Sequence, residues 1–148
     1  METIERIGSF ASLPRYLELR GHRFALAPGM DLIQCRYEED RLSALVAMRR
    51  ARSRAGAEWL AIGLPICSVQ SIQLRAALIA NDELPIGGLA VTNGVVLVRQ
   101  TLPLVGLLSS HLDHALATLV RTAAELAVAA TRAATDPDVE TAYRYLFR

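Results

Sequence analysis

The sequence predicts an α+β fold in which a five-stranded antiparallel sheet packs against helices, in the order α-β-β-β-α-β-β-α. Three observations predict it. Apolar runs of strand length are separated by turn signals, Asn93-Gly94 joins two such runs, and a long helical stripe of leucines follows the last run. We assign residues 1–148 to one domain, with a short C-terminal helical tail from about residue 136.

The first predicted element is a helix over residues 2–20. Its apolar residues are three and four positions apart: Ile4, Ile7, Phe10 and Ala11. Pro14 is tolerated in a first turn, so the segment is either one kinked helix or two short ones. Gly21 ends it. Residues 22–29 form a connector that closes on the turn signal Pro28-Gly29.

Three predicted strands follow, over residues 30–38, 41–51 and 58–67. The composition of the second also allows a helix, but its apolar residues alternate perfectly and a turn precedes it, so we assign a strand. Residues 51–57 are then a hairpin loop.

A helix over residues 68–82 and a hairpin over residues 84–104 come next. Asn-Gly accepts positive φ at both central positions of a type I′ turn, which closes a two-residue hairpin. A long helix over residues 109–134 follows, and Ser110 with Asp113 resembles a capping box. Its apolar stripe comprises Leu112, Leu116, Leu119, Ala123, Leu126 and Ala130.

Composition bounds the function classes. The chain is 52% apolar and 21% charged, which excludes a disordered protein. Its net charge of +1 lacks the basic excess of a dedicated nucleic-acid binder. No signal peptide and no run long enough to span a membrane is visible, so we expect a cytoplasmic protein. Cys35 and Cys67 are expected to be free thiols.

A family resemblance rests on residues 84–104 and the leucine-rich helix after them. The strand opening has Leu84, Pro85, Ile86, Gly87 and Leu89, and the strand end has Arg99, Leu102, Pro103 and Leu104. With the element order, these residues resemble the type III secretion chaperone-like superfamily, which includes the Tir-chaperone class and the YbjN-like proteins. The resemblance covers about residues 30–135.

This resemblance implies a small cytoplasmic bacterial protein, commonly a homodimer, that binds an extended segment of another protein. It implies no catalysis and no cofactor. We therefore expect a non-enzymatic, chaperone-like protein-binding module, with a secretion chaperone as the narrower form of that expectation.

The stretch "MRRARSRAG", residues 48–56, concentrates four arginines at the predicted hairpin: Arg49, Arg50, Arg52 and Arg54. The simpler interpretation is that these arginines lie on a solvent-exposed turn and have no binding role. The functional interpretation is a rim that selects acidic residues of a partner. The alternative function, a small regulatory or nucleic-acid-associated protein using the 49–54 loop, lacks interleaved aromatic residues for base stacking. It would gain support if residues 40–54 were helical.

The apolar excess suggests a second part of a partner-binding surface on the first helix. Ile4, Ile7 and Phe10 either line the core or form an exposed patch of the kind that marks protein interfaces. A sheet edge could also accept a client strand. The candidate partner-binding residues are therefore Ile4, Ile7, Phe10, Arg49, Arg50, Arg52 and Arg54.

Nothing in the sequence predicts a catalytic, cofactor or metal site. The chain has no lysine for a Walker-type loop, and it contains no nucleophile elbow, CxxC pair or HExxH. His111, Asp113 and His114 share a helix start, but no third metal ligand accompanies the two histidines. We therefore expect no enzyme activity, no cofactor and no bound metal.

Overall fold

A six-stranded antiparallel sheet forms the framework of the protein, so the predicted α+β class and antiparallel pairing are confirmed. The computed structural model describes residues 5–27, 29, 31–39, 41–72, 81, 84 and 87–135, with the backbone alone for 128–135. The strands lie in the order β1-β2-β3-β4-β6-β5. Their bounds are β1 Arg23–Ala27, β2 Leu32–Glu39, β3 Leu42–Arg52, β4 Glu58–Ser68, β5 Gly88–Thr92 and β6 Val95–Pro103.

The sixth strand, β1, corrects the prediction of five strands. It occupies the segment assigned to a connector and pairs antiparallel with β2. Phe24 lies opposite Cys35 and Leu26 opposite Ile33. Both bulky side chains therefore point to the side of the sheet that contains the buried core. The turn after β1 is therefore a hairpin turn, with Gly29 at φ 73°.

Strands β2, β3 and β4 form the predicted antiparallel meander. Cys35 faces Val46, and Met48 faces Ile62, all four fully or almost fully buried. Residues 42–52 are a strand rather than the helix that their composition also allowed. The loop between β3 and β4 spans residues 53–57, within the predicted turn.

The β5–β6 hairpin confirms the Asn-Gly prediction. Asn93 has φ 50° and Gly94 has φ 75°, the positive values that a type I′ turn requires. The hairpin places β6 beside β4, so β5 becomes the outer strand. At Gly87, before β5, an added Cβ would overlap the carbonyl oxygen of Arg99, which explains a glycine at this point of the motif.

The first residues of the segment between β4 and β5 are not part of an α-helix, in contrast to the helix predicted over residues 68–82. Ser68 ends β4, and Val69–Ser71 form a 3-10 turn whose Gln70 N–H donates to the Ser68 hydroxyl at 3.3 Å. Ile72 forms a bridge rather than a helical turn. Residues 73–80, the body of the predicted helix, lie outside the described residues, as does the predicted tail from 136.

The first helix is shorter than the predicted span 2–20. A 3-10 turn, Phe10–Ser12, leads into α1, Leu13–Leu19. The described residues before it, 5–9, are not helical: Arg6 bridges to Leu108, and Gly8 has a positive φ of 70°. The end of α1 matches the prediction: Gly21 has φ 74°, and its N–H donates to the carbonyl of Glu18 in a Schellman arrangement.

The long helix α2, Ser109–Thr135, covers one face of the sheet. Five residues of its predicted stripe are buried: Leu112, Leu116, Leu119, Ala123 and Leu126. The side chain of Ala130 lies outside the described residues. Each buried leucine contributes about 1.5–3 kcal/mol. Among the described residues, no helix is both long and apolar enough to cross a membrane.

Candidate functional site

The sheet has two faces of different character. One packs on α1 and α2 and contains the buried side chains of the core. The other is left uncovered within the described part of the chain. We call it the open face. It is formed by alternate residues of the six strands, among them Arg23, Ala25, Leu32, Gln34, Arg36, Leu45, Ala47, Arg49, Trp59, Ala61, Gly63, Ala90, Leu97, Arg99 and Thr101.

The centre of the open face is apolar and low. Ala47 lies directly opposite Gly63, and Ala61 is the neighbouring residue of β4 on the same face. Around this centre stand larger apolar side chains, including Leu45, which is 46% exposed, and the half-buried Trp59. A flat apolar surface of this kind can receive a partner's side chains without displacing any described part of the protein.

The arginines predicted at the hairpin do not act as one group. Because side chains alternate along a strand, Arg49 is exposed on the open face and Arg50 points to the opposite side. Arg50 forms ion pairs with Asp31 at 2.8 Å and with Glu58 at 3.4 Å. Arg52 also contacts Glu58, at 3.4 Å. Asp31 and Glu58 therefore engage two of the four arginines, Arg50 and Arg52, in ion pairs within the protein.

The remaining predicted site residues are dispersed. Arg54 is exposed in the hairpin loop. Ile7 is 3% exposed and belongs to the core, which corrects its assignment to a surface patch. Phe10 is half-buried against the core, with the Arg50 guanidinium 6.0 Å from its ring centroid. Ile4 lies outside the described residues.

Three exposed arginines of the open face were not among the partner-binding residues predicted from the sequence: Arg23, Arg36 and Arg99. They belong to β1, β2 and β6, and only the strand register brings them to the same surface as Arg49. Arg36 lies between Cys35 and Tyr37 in the predicted strand over residues 30–38, so this alternation already indicated that Arg36 is exposed. The interpretation of β1 as a connector concealed Arg23.

A polar cavity lies on the helix side of the sheet, between α1, β2 and α2. Its volume is about 280 Å³, and its lining includes Tyr16, Arg20, His22, Tyr37 and Asp113. Asp113 accepts a hydrogen bond from the Tyr16 hydroxyl at 2.5 Å and contacts Arg20 Nε and Nη2, each at 3.0 Å. The Asp113 carboxylate is thus occupied by Tyr16 of α1 and by Arg20, which follows α1, rather than by the predicted capping box.

Burial and hydrogen bonds shift the pKa values of the ionisable groups in this cavity. Burial raises the pKa of Tyr16, and the hydrogen bond to Asp113 adds to this effect. Burial alone would raise the pKa of Asp113, but the hydrogen bonds from Arg20 and Tyr16 outweigh it and lower that pKa. Burial lowers the pKa of His22, whose ring lies 5.2 Å from that of Tyr37. The cluster is internally satisfied, which is typical of a structural role.

The other chemically capable side chains are isolated from one another. His111 and His114 are exposed on α2, and no cluster of three possible metal ligands is found in the described ranges. Cys35 and Cys67 are free thiols. Burial raises the pKa of Cys35 to about 11, which disfavours its reactive thiolate.

Comparison with known proteins gives no family assignment. The sequence matches no protein-family model, and no curated protein matches it significantly. The resemblance to the secretion chaperone-like superfamily therefore rests on the residues of the 84–104 region and on the element order alone.

Proposed function

We propose that the protein is a non-enzymatic, chaperone-like module that binds a segment of a partner protein on the open face. The observation that supports this most directly is a sheet with helices on one face and, within the described part of the chain, an uncovered surface with an apolar centre on the other. A contiguous exposed apolar surface is typical of protein interfaces.

The partner segment binds in an extended form. The exposed Ala47 forms a low apolar centre on which such a segment can pack, and the larger side chains around it provide lateral contacts. Leu45 and Trp59 would lose exposed apolar area on binding, which contributes about 25 cal/mol per Å² before the costs of association. The absence of catalytic motifs from the sequence agrees with a binding role.

The family resemblance adds a homodimer and a cytoplasmic location to the proposal. The chain mass is 16.1 kDa. Light scattering after size-exclusion chromatography should therefore give twice this mass. A mass equal to one chain at micromolar concentration would remove the homodimer from the proposal.

The decisive experiment compares three tagged forms purified gently from the native host. Ala47→Glu introduces a carboxylate at the centre of the open face, and a partner bound there would bury its charge. Ala55→Glu introduces the same change in the exposed β3–β4 loop and serves as the matched control. Quantitative mass spectrometry should find a stoichiometric protein that the wild type and Ala55→Glu retain and Ala47→Glu loses.

Two results would contradict the proposal. One is equal retention of every copurifying protein by both variants. The other is the recovery of no stoichiometric protein with the wild type. Circular dichroism melts of the two variants show whether each is folded, so that a loss of partner is not confused with unfolding.

A further inference from the structure

The open face contains an electrostatically unfavourable pair. Arg23 and Arg36 lie directly opposite each other across β1 and β2, and both are exposed on the open face. Like charges at directly opposed positions of an antiparallel pair destabilise a sheet. In the described part of the chain, neither guanidinium forms an ion pair. A bound anion would relieve the repulsion, whereas a neutral ligand would not.

Two further arginines extend this positive potential over the open face. Arg49 lies on β3 opposite Ala61, and Arg99 lies on β6 opposite Gly63. Within the described ranges these two also lack an ion-pair partner. Among the described strand residues, Glu38 is the single carboxylate on the open face. Four guanidiniums against one carboxylate favour a ligand with several negative charges.

The surface beside Arg99 has a depression that can receive a side chain. It has a volume of about 240 Å³, and its lining includes Gly88, Ala90 and Thr101 in addition to Arg99. The planar guanidinium of Arg99 presents two parallel N–H donors, which match the two oxygens of a carboxylate. The Thr101 hydroxyl provides an additional donor at the same place.

The apolar floor between the arginines discriminates between two kinds of anion. Nucleic acid needs aromatic side chains on which bases stack, and the described open face offers one aromatic residue, the half-buried Trp59. Ala47 and Ala61 instead form a surface for small or aliphatic side chains. A segment with both carboxylates and aliphatic side chains fits both parts of the face.

We propose that the partner segment is acidic, with Asp or Glu side chains contacting Arg36 and Arg99 and aliphatic side chains packing on the floor between them. One carboxylate enters the depression beside Arg99. This inference rests on the proposed function and specifies the chemistry of the partner. It also moves the predicted selection of acidic residues from the hairpin loop to the strands.

Fluorescence anisotropy with three labelled probes tests the inference: a short peptide of alternating glutamate and leucine, its glutamine–leucine counterpart, and a short oligothymidine. The wild type should bind the acidic peptide at least about tenfold more tightly than the glutamine peptide. The double variant Arg36→Gln/Arg99→Gln should lose about tenfold in affinity for the acidic peptide. The matched control Arg41→Gln/Arg54→Gln has the same net charge and should retain wild-type affinity.

The remaining outcomes overturn the inference in distinguishable ways. Equal binding of both peptides would leave an apolar docking surface and remove its acidic preference. Tighter binding of oligothymidine, with a steep salt dependence, would make nucleic acid the ligand. Equal losses of affinity for the acidic peptide in the two double variants would show that binding depends on net charge rather than on Arg36 and Arg99. If neither peptide binds, the acidic inference fails, and the Ala47→Glu purification decides separately whether the proposed function fails too.

Discussion

Replacing Tyr16 with phenylalanine should destabilise the fold by about 1 kcal/mol. Tyr16 is 1% exposed, and Phe retains its ring, so the change removes little except the hydrogen bond to Asp113. Hydrogen bonds to charged groups contribute about 1.5–3 kcal/mol. The Asp113 side chain is 40% exposed, so water partly replaces the lost donor and the cost falls to about 1 kcal/mol. For a chain of this length, that lowers Tm by about 2–4 °C.

Urea denaturation of a double-mutant cycle isolates the interaction. Tyr16→Phe, Asp113→Asn and the double variant should give a coupling energy of about 1 kcal/mol. The control is Tyr37→Phe, which removes a buried phenol that donates to Glu39 instead. Tyr37 and Asp113 should show almost no coupling. A coupling energy near zero between Tyr16 and Asp113 would refute the reasoning, because their hydrogen bond would then contribute nothing to stability.

The same interaction predicts a dependence on pH. The pKa of Asp113 is lower in the folded protein than its usual value of 3.8 because of Arg20 and Tyr16, whose hydrogen bonds outweigh the effect of burial. The stabilisation is therefore fully present above the unfolded-state pKa and is lost as the pH falls through the folded-state pKa. The difference in unfolding free energy between the wild type and Asp113→Asn should shrink below about pH 4.

Three further predictions concern the core, the motif glycine and the half-buried His22. Leu116→Ala removes a fully buried side chain and should cost about 2–5 kcal/mol in urea denaturation. Gly87→Ala should cost more than Gly106→Ala, because both have positive φ but only the first places a Cβ against the Arg99 carbonyl oxygen; equal melting temperatures would contradict this. Burial lowers the pKa of His22, so folded-state stability should fall as the pH drops below about 6.5, and His22→Asn should flatten that slope.

Local rules in the sequence were sufficient for most of the sheet and for α2. Asn93-Gly94 fixes a hairpin through backbone chemistry alone, and alternation assigned β3 correctly despite its helix-compatible composition. The N-terminal helix was overestimated because periodicity cannot detect a long-range pairing such as that of Arg6 with Leu108. Strand β1 was missed because alanines dilute its alternation and Pro28-Gly29 was interpreted as the end of a connector.

The candidate site was harder to predict than the fold. Four arginines close together in the sequence suggested one basic surface, but a period of two sends Arg49 and Arg50 to opposite faces. Arg50 then pairs with Asp31, which is distant in sequence. The arginines that share a surface with Arg49 come from three other strands. Their proximity depends on register, and register follows from the assembled sheet rather than from any single segment.

The backbone hydrogen bonds between the residues before α1 and the start of α2 have a consequence for how the molecule folds. The Ser109 N–H donates to the carbonyl of Glu5 at 2.9 Å, although these residues are 104 positions apart. Contacts across so long a loop carry a large entropic cost, so we expect them to form late in folding and to open early. Hydrogen exchange at the Ser109 amide should therefore report local opening of this closure at a lower free energy than the amides in the centre of β4.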